Sequence, residues 1–249
     1  MKIKSGIYSL VVMVMLLMFA SSCSKDATTD LEQSGTVTDI DGNVYKTVTI
    51  GTQVWMAENL KVTKYNDNTP IPLVTDINVW SKSSTPGYCW YNNDATTNKN
   101  VYGGLYNWYA VNTNKLCPVG WHVPSDVEWQ KLILYIDASA VINVANIGYE
   151  SFTAGGKLKE AGSAHWQSPN TGATNESGFT ALPGGFRSNM AEFRSAGISG
   201  SWWSSKESIP GSFVYTWYGW YFYMKYNESN AGGSNYDKLE GKSVRCVKD

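Results

Sequence analysis

Alternating apolar and polar positions predict a small β-meander over residues 36–60. Residues 44–50 read Val-Tyr-Lys-Thr-Val-Thr-Ile, an alternating and β-branched run that is typical of a strand. Asp41-Gly42 precedes this run as a tight-turn signal, and Gly51-Thr52 turns the chain again after it. The pattern predicts three short strands, at residues 37–40, 44–50 and 53–56.

The C-terminal third also carries a strand pattern. Residues 179–182 lead into Pro183-Gly184-Gly185-Phe186-Arg187, and further strands are predicted at 201–205, 217–226 and 243–247. The run 217–226 is aromatic at alternate positions on both of its faces. One face must therefore pack on the core, and the other must be at least partly covered by loops or by a ligand.

Two segments have helical patterns. Ser125 is a good N-cap, and Glu128 follows at the capping-box spacing, so the main helix is predicted from there to Ile136. A minor helix is predicted over residues 154–161, with Lys159 exposed and Gly162 as its stop.

Residues 61–104 are rich in Asn, Thr, Ser, Gly and Pro and are predicted to be loops, followed by a short helix or turn at 103–111. A loop segment of this length is uncommon inside a domain, so we expect it to be packed through its aromatic residues, Trp80, Tyr88, Trp90 and Tyr91. Together these patterns predict an α+β fold of mixed, mostly antiparallel sheets, with one main helix, one minor helix and long loops.

The N-terminus is predicted to be a signal peptide, residues 1–22. Its basic start is followed by the uncharged apolar run 7–20, which at about 14 residues is shorter than the roughly 20 that a membrane span needs. Ala20-Ser21-Ser22 then precedes Cys23, which resembles a lipobox and predicts lipidation of Cys23. The alternative is a plain secretory signal with a chance cysteine.

Residues 23–35 are small and polar, which indicates a flexible tether after the acylated cysteine. Residues 36–249 are long enough to form a single domain with its own core. The predicted location is the outer membrane, with a lipid anchor and the domain in the periplasm or on the cell surface.

Composition narrows the range of partners. The net charge is -1, and without Lys2 and Lys4 of the signal it becomes -3. No block of basic residues is present, so nucleic acid is not an expected partner. Charged residues make up 16% of the chain and aromatic residues 14%, with 11 Trp and 16 Tyr. Aromatic packing and hydrogen-bonded loops are therefore expected to build the fold.

Catalytic and cofactor motifs are weak. Gly155-Gly156-Lys157 has Leu158 where a phosphate loop needs Ser or Thr. His122 and His165 lie in no metal-binding spacing, and no metal site is expected. His122 is assigned a structural hydrogen-bonding role, whereas His165 is a candidate ligand contact. The expectation is a protein that is not an enzyme and has no cofactor.

Candidate ligand contacts are aromatic side chains beside amides and hydroxyls, since such faces stack on sugar rings. The alternative for each aromatic residue is an ordinary place in the core. The candidates are His165, Trp166, Asn170, Asn175, Trp202, Trp217 and Trp220.

Six motifs follow one another along the domain. They are residues 50–60 (IGTQVWMAENL), 102–108 (YGGLYNW), 117–129 (CPVGWHVPSDVEW), 182–187 (LPGGFR), 202–205 (WWSS) and 243–247 (SVRCV). In this order they resemble the Fibrobacter succinogenes major paralogous domain, which is common in lipoproteins of Bacteroidetes-type bacteria. The resemblance extends over about residues 36–248.

The resemblance implies a C-type lectin-like fold and a disulfide between Cys117 and Cys246, in keeping with export to an oxidising compartment. It also leaves Cys89 as an unpaired thiol, expected to be buried beside Trp90; the alternative is a reactive or intermolecular thiol. Calcium binding is unsupported, because Ser168-Pro169-Asn170 lacks the acidic residue before proline that sugar-binding relatives use. The active cysteine pair of the formylglycine-generating relatives is also missing.

The resulting hypothesis is a lipid-anchored, non-catalytic envelope module that recognises glycan or a partner protein through aromatic loops. One alternative is a structural or fimbria-associated envelope component, which a large exposed apolar patch or edge strand would favour. The other is a hydrolase-type enzyme of an unrecognised kind, which a cleft with two suitably spaced carboxylates would favour.

Overall fold

The computed structural model describes residues 35–143, 148–208 and 217–249. The predicted signal peptide, Cys23 and the predicted tether up to residue 34 lie outside the described residues. None of the helices that the structure describes has the length and apolar character needed to cross a bilayer.

The described residues form five α-helices and fourteen β-strands. In chain order, α1 to α5 are Ile77–Trp80, Ala95–Tyr102, Trp108–Val111, Asp126–Ile136 and Ala154–Leu158. In chain order, β1 to β14 are Thr36–Thr38, Val44–Ile50, Gln53–Met56, Tyr88–Cys89, Leu105–Tyr106, Trp121–His122, Val141–Asn143, Gly148–Ser151, Gly184–Arg187, Phe193–Ala196, Ser199–Glu207, Tyr218–Lys225, Ala231–Asp237 and Val247–Lys248.

The smaller of the two main sheets joins the two ends of the domain. Its strand order is β1-β2-β3-β14-β6, so the last strand of the chain lies between β3 and β6. Val247 pairs with Trp55 on one side and with His122 on the other. The disulfide between Cys117 and Cys246 lies directly beside this pairing, with a Cα–Cα distance of 6.0 Å. The predicted disulfide is confirmed.

The larger sheet has the strand order β10-β9-β11-β12-β13-β8-β7. Its neighbours are antiparallel except for β9 and β11, which are parallel at a single pair. The predicted α+β class with mostly antiparallel sheets is confirmed. A third, two-stranded sheet pairs β4 with β5.

The larger sheet separates two aromatic cores. Because successive side chains of a strand point to opposite faces, Trp202 and Trp203 of β11 enter different clusters. Trp202 belongs to the cluster that holds Phe222 and Trp129, whose rings stack with centroids 4.5 Å apart. Trp203 belongs to the cluster around Trp108. Aromatic packing on both sides of one sheet thus accounts for the high aromatic content.

The main helix, α4, forms as predicted. The Ser125 hydroxyl accepts the Glu128 backbone N–H, and the Glu128 carboxylate accepts the Ser125 backbone N–H at 2.8 Å. This reciprocal capping satisfies donors that a helix start would otherwise leave unpaired. The helix buries Trp129, Leu132 and Ile133 against the larger sheet.

The minor helix is shorter than predicted, because it ends at Leu158. Lys159 leaves the helix in an extended conformation and bridges Ala181. The expectation that Lys159 is exposed is wrong. Its ammonium is drawn inward, where it donates to the backbone carbonyls of Thr171, Lys225 and Glu228 at 2.9–3.0 Å.

The segment 61–104 contains more structure than its composition indicates. The polar helix α2 begins after Asp94, whose carboxylate accepts the Thr97 backbone N–H. Its sequence has no apolar periodicity, so the pattern that predicts helices could not detect it. The aromatic residues Trp80, Tyr88 and Trp90 are buried as expected, and Tyr91 packs partly buried against Phe193.

Buried arginines fasten the loops to the sheets. Arg187 lies over the ring of Trp80 and donates to the carbonyls of Val74 and Thr75 at 2.6 and 3.0 Å. Arg245, next to the disulfide, donates to the carbonyls of Phe179 and Thr180. These cations satisfy carbonyls that loops would otherwise bury without partners.

Candidate functional site

A cleft of about 620 Å³ opens on one face of the larger sheet. Its floor is formed by β11, β12 and β13, and one wall is formed by the hairpin of β9 and β10 with its turn at 188–190. The floor carries the rings of Tyr221, Tyr223 and Tyr236, with serines beside them.

The floor follows from the period of two in β12. Tyr221, Tyr223 and Lys225 face the cleft, whereas Phe222 and Met224 face the core. The tyrosine rings lie next to each other, with centroids 5.9 Å apart. The alternation in the sequence therefore places a tyrosine stripe on the accessible face.

Small residues on both neighbouring strands flank Tyr223. These are Ser201 of β11 and Gly232 of β13, whereas Tyr221 lies between Ser234 of β13 and Trp203 of β11, whose ring it meets edge-on. Larger side chains at the serine and glycine positions would fill the cleft, since directly opposed side chains approach within about 5 Å. The serines also supply hydroxyl groups that can donate or accept.

An ion pair lies at the inner end of the cleft. Lys242 donates to the carboxylate of Glu240, and the two side chains are 3% and 6% exposed. The Lys242 ammonium also lies 4.1 Å from the ring centroid of Tyr221 and 5.0 Å from that of Phe186. Burial lowers the pKa of Lys242 and raises the pKa of Glu240, and the opposite charge of each partner counteracts the shift. The buried Lys242–Glu240 pair thus holds Tyr221 in place at the inner end of the cleft.

Two further cations stand at the rim. Arg194 on β10 pairs with Glu192, and Lys225 at the end of β12 pairs with Glu228 at 3.1 Å. Their side chains are about half exposed. A bound molecule can therefore displace the carboxylate partners of Arg194 and Lys225 more easily than it can break the buried Lys242–Glu240 pair.

The cleft combines aromatic rings, hydroxyls and charged groups on one accessible face of the sheet. Glu240 is the one carboxylate among its described lining residues, whereas glycoside hydrolysis ordinarily needs two. No group of three or more His, Cys, Asp or Glu able to hold a metal occurs within 35–143, 148–208 and 217–249.

Two of the predicted contact residues lie in the core, and these predictions are corrected. Trp166 is 1% exposed, and its indole N–H donates to the Ala181 carbonyl at 2.9 Å. Trp202 is 0% exposed and donates to the Asn59 side chain at 2.8 Å. Both indoles fill hydrophobic volume and have their polar atom satisfied internally, so neither ring presents a face to a ligand.

Two predicted amides brace loops. Asn170 is buried and donates to the backbone carbonyls of Glu160 and Gly162. Asn175 is half-buried, and its side chain bonds both the backbone N–H and the hydroxyl of Thr180. Asn170 has no open surface for a ligand, so that prediction is corrected as well.

The remaining candidates lie away from the described lining of the cleft. His165 is partly exposed, with Nδ1 2.9 Å from the Glu160 carboxylate. Trp217 is 62% exposed just before β12, and Trp220 is partly buried on the same side of β12 as Phe222. The prediction from sequence therefore selected tryptophans and missed Tyr221 and Tyr223, although the alternation in 217–226 indicated that a second face of this strand carries aromatic rings.

His122 links a strand to the main helix. Its Nε2 lies 2.8 Å from Glu128 Oε1, and its Nδ1 lies 2.6 Å from Asp249 Oδ1. The Glu128 hydrogen bond, together with Asp249, outweighs desolvation and raises the pKa of His122 to about 9. Burial acts to raise the pKa of Glu128, but the bonds from His122 and Ser125 prevail and lower it to about 2. These contacts agree with the structural role predicted for His122.

Cys89 is an unpaired and buried thiol, as expected. Burial raises its pKa to about 12, so the reactive thiolate form is suppressed.

Fold and cleft together define an α+β protein with a disulfide-joined domain and a tyrosine-floored surface cleft. The chain belongs to the Fibrobacter succinogenes major domain family, whose family model matches residues 48–248. No curated protein and no solved structure matches the chain.

Proposed function

We propose that this protein is a non-catalytic glycan-binding module of the bacterial cell envelope. The observation that carries the proposal is the cleft, which the rings of Tyr221 and Tyr223 line beside the hydroxyls of Ser201 and Ser234. Aromatic faces stack on the apolar side of a sugar ring, and hydroxyls bond the sugar hydroxyls at its edge.

The proposal extends to the architecture and the location. The order of elements supports a C-type lectin-like fold, in which the disulfide joins the region before α4 to the last strand. The lipobox-like segment supports lipidation at Cys23 and attachment to the outer membrane. Mass spectrometry of the membrane-extracted protein tests this part, because Cys23→Ser should remove both the acyl mass and the membrane association.

A glycan panel tests the binding function, with the full chain purified in detergent. The expected result is binding of at least one glycan by the native chain. Tyr223→Ala should weaken that binding about tenfold, which corresponds to about 1.4 kcal/mol for one lost stacking face. Tyr135→Ala is the matched control, since Tyr135 is an exposed tyrosine on α4 outside the described lining of the cleft.

Absence of binding across the panel would contradict the proposal. So would binding that Tyr223→Ala and Tyr135→Ala weaken equally, because the cleft would then not be the site. If a protein binds in a Tyr223-dependent way and no glycan does, the ligand of the cleft would be a partner protein and not a glycan.

A further inference from the structure

Two of the three cations that line the cleft have no carboxylate partner within the described lining. The inner cation, Lys242, is matched by Glu240, and both are buried. The other two cations, Arg194 and Lys225, lie at the rim and have their carboxylate partners just outside the lining.

The rim cations have partners that a ligand can replace. Glu192 and Glu228 pair with Arg194 and Lys225 but are not among the described lining residues. Exposed ion pairs of this kind contribute only about 0–1 kcal/mol to stability. A ligand anion inside the cleft can therefore take over either cation at little energetic cost.

Lys225 is placed to act together with the tyrosine floor. Its ammonium lies 5.6 Å from the ring centroid of Tyr223. The ammonium lies over the face of the ring, so a sugar that packs against Tyr223 would meet this ammonium. Arg194 lies on β10, in the wall of the same cleft, and is a second cation for such a ligand.

We infer that the cleft binds an acidic saccharide, with the sugar ring on Tyr223 and its carboxylate or sulfate group at Lys225. This inference rests on the proposed glycan-binding function and adds the chemical class of the glycan. Uronic acids and sulfated sugars share the required chemistry, a ring with an anionic group on its edge. The buried Glu240–Lys242 pair stays intact when such a ligand binds and supplies the fixed polar end of the floor.

The test compares each acidic glycan with its neutralised counterpart on the full chain in detergent. The probes are oligosaccharides of polymannuronate with their carboxyl-reduced form, and oligosaccharides of chondroitin sulfate with the form that is both desulfated and carboxyl-reduced, beside a panel of neutral glycans. At least one acidic probe should bind about tenfold more tightly than its neutral form in low salt. The preference should shrink in 1 M salt, where the Debye length is about 3 Å.

Lys225→Gln should abolish the preference for the acidic form, so that each acidic probe and its neutral form bind with the same affinity. Lys206→Gln is the charge-matched control, because Lys206 is an exposed lysine on β11 outside the described lining. It should leave the preference intact. This comparison separates a local contact from the general effect of removing one positive charge.

The possible failures are distinguishable. Tyr223-dependent binding of neutral glycans with no preference for acidic forms would overturn this inference and leave the proposed function standing. An acidic preference that survives Lys225→Gln would also overturn it. Absence of binding by every acidic and neutral probe would sink both proposals.

Discussion

Both faces of β12 carry aromatic rings, but the two faces differ in what lies opposite. On the core side, Phe222 is fully buried, stacks on Trp129 and pairs across the strands with Trp202. On the cleft side, Tyr223 is only partly buried and has Ser201 as its cross-strand neighbour. What the rest of the chain packs onto each face, rather than the presence of a ring, separates the two: Trp129 of α4 covers the core side, whereas Tyr223 lines the open cleft.

The largest expected effect tests whether the core side of β12 contributes more to the free energy of unfolding than the cleft side does. Phe222→Ala should lower the free energy of unfolding by about 3–5 kcal/mol, because it leaves a cavity in a close-packed core. Tyr223→Ala should lower it by about 1 kcal/mol, as its ring is already partly in water. Urea unfolding followed by tryptophan fluorescence measures both. Equal losses would show that the cleft side is as much a part of the core as the other side.

The disulfide provides a test that separates stability from the cleft. Replacing Cys117 and Cys246 together by Ser should lower the free energy of unfolding by about 2–4 kcal/mol, since the bond closes a long loop of the unfolded chain. Cys89→Ala, which keeps the disulfide, should cost about 1 kcal/mol. Neither cysteine of the bond is among the described residues that line the cleft, so glycan affinity of the folded double variant should be unchanged. A loss of affinity as large as that of Tyr223→Ala would contradict this separation.

The smallest expected effect is the pH dependence of stability, which arises away from both faces of β12. Because the pKa of His122 is raised to about 9, its contribution is fully present below about pH 6.5 and is lost as the pH rises through 9. Because the pKa of Glu128 is lowered to about 2, its contribution is present above about pH 4.5 and is lost as the pH falls through 2. The contribution of this pair should therefore be greatest between about pH 4.5 and 6.5.

The side chain of His122 is 41% exposed, so solvent screening keeps the effect of its ion pairs to at most about 1 kcal/mol. Thermal melts across pH 5 to 10 should show that His122→Gln flattens the decline above pH 6.5. Tyr223→Ala, the cleft-side comparison, should retain it. A decline that persists unchanged in His122→Gln would place its origin in another group.

Local signals predicted several elements closely. The run 44–50 forms β2 with the predicted bounds, and the capping box at Ser125 begins α4. Strand β2 depends on alternation within its own residues, and the start of α4 depends on residues within one helical turn. Distant parts of the chain do not alter either signal. The disulfide was predicted from the family resemblance rather than from any local pattern.

Strand β13 shows why other elements were missed. Its residues Ala231-Gly232-Gly233-Ser234 look like a loop, because glycine ordinarily weakens a strand. In the fold the ring of Tyr149 packs so closely that a Cβ on Gly233 would overlap it. The preference for glycine therefore comes from a residue more than eighty positions away, which no local pattern contains.

By itself, the sequence determined the fold class, the main helix, the meander at the start of the domain and the alternation of rings along β12, because these depend on short-range periodicity and capping. The tertiary structure alone decided which rings are accessible. It buried Trp166 and Trp202 and left Tyr221 and Tyr223 lining a cleft, because exposure depends on what the rest of the chain packs onto each ring. Ser201 and Gly232 flank Tyr223 on its side of β12, whereas Trp129 of α4 covers Phe222 on the other side.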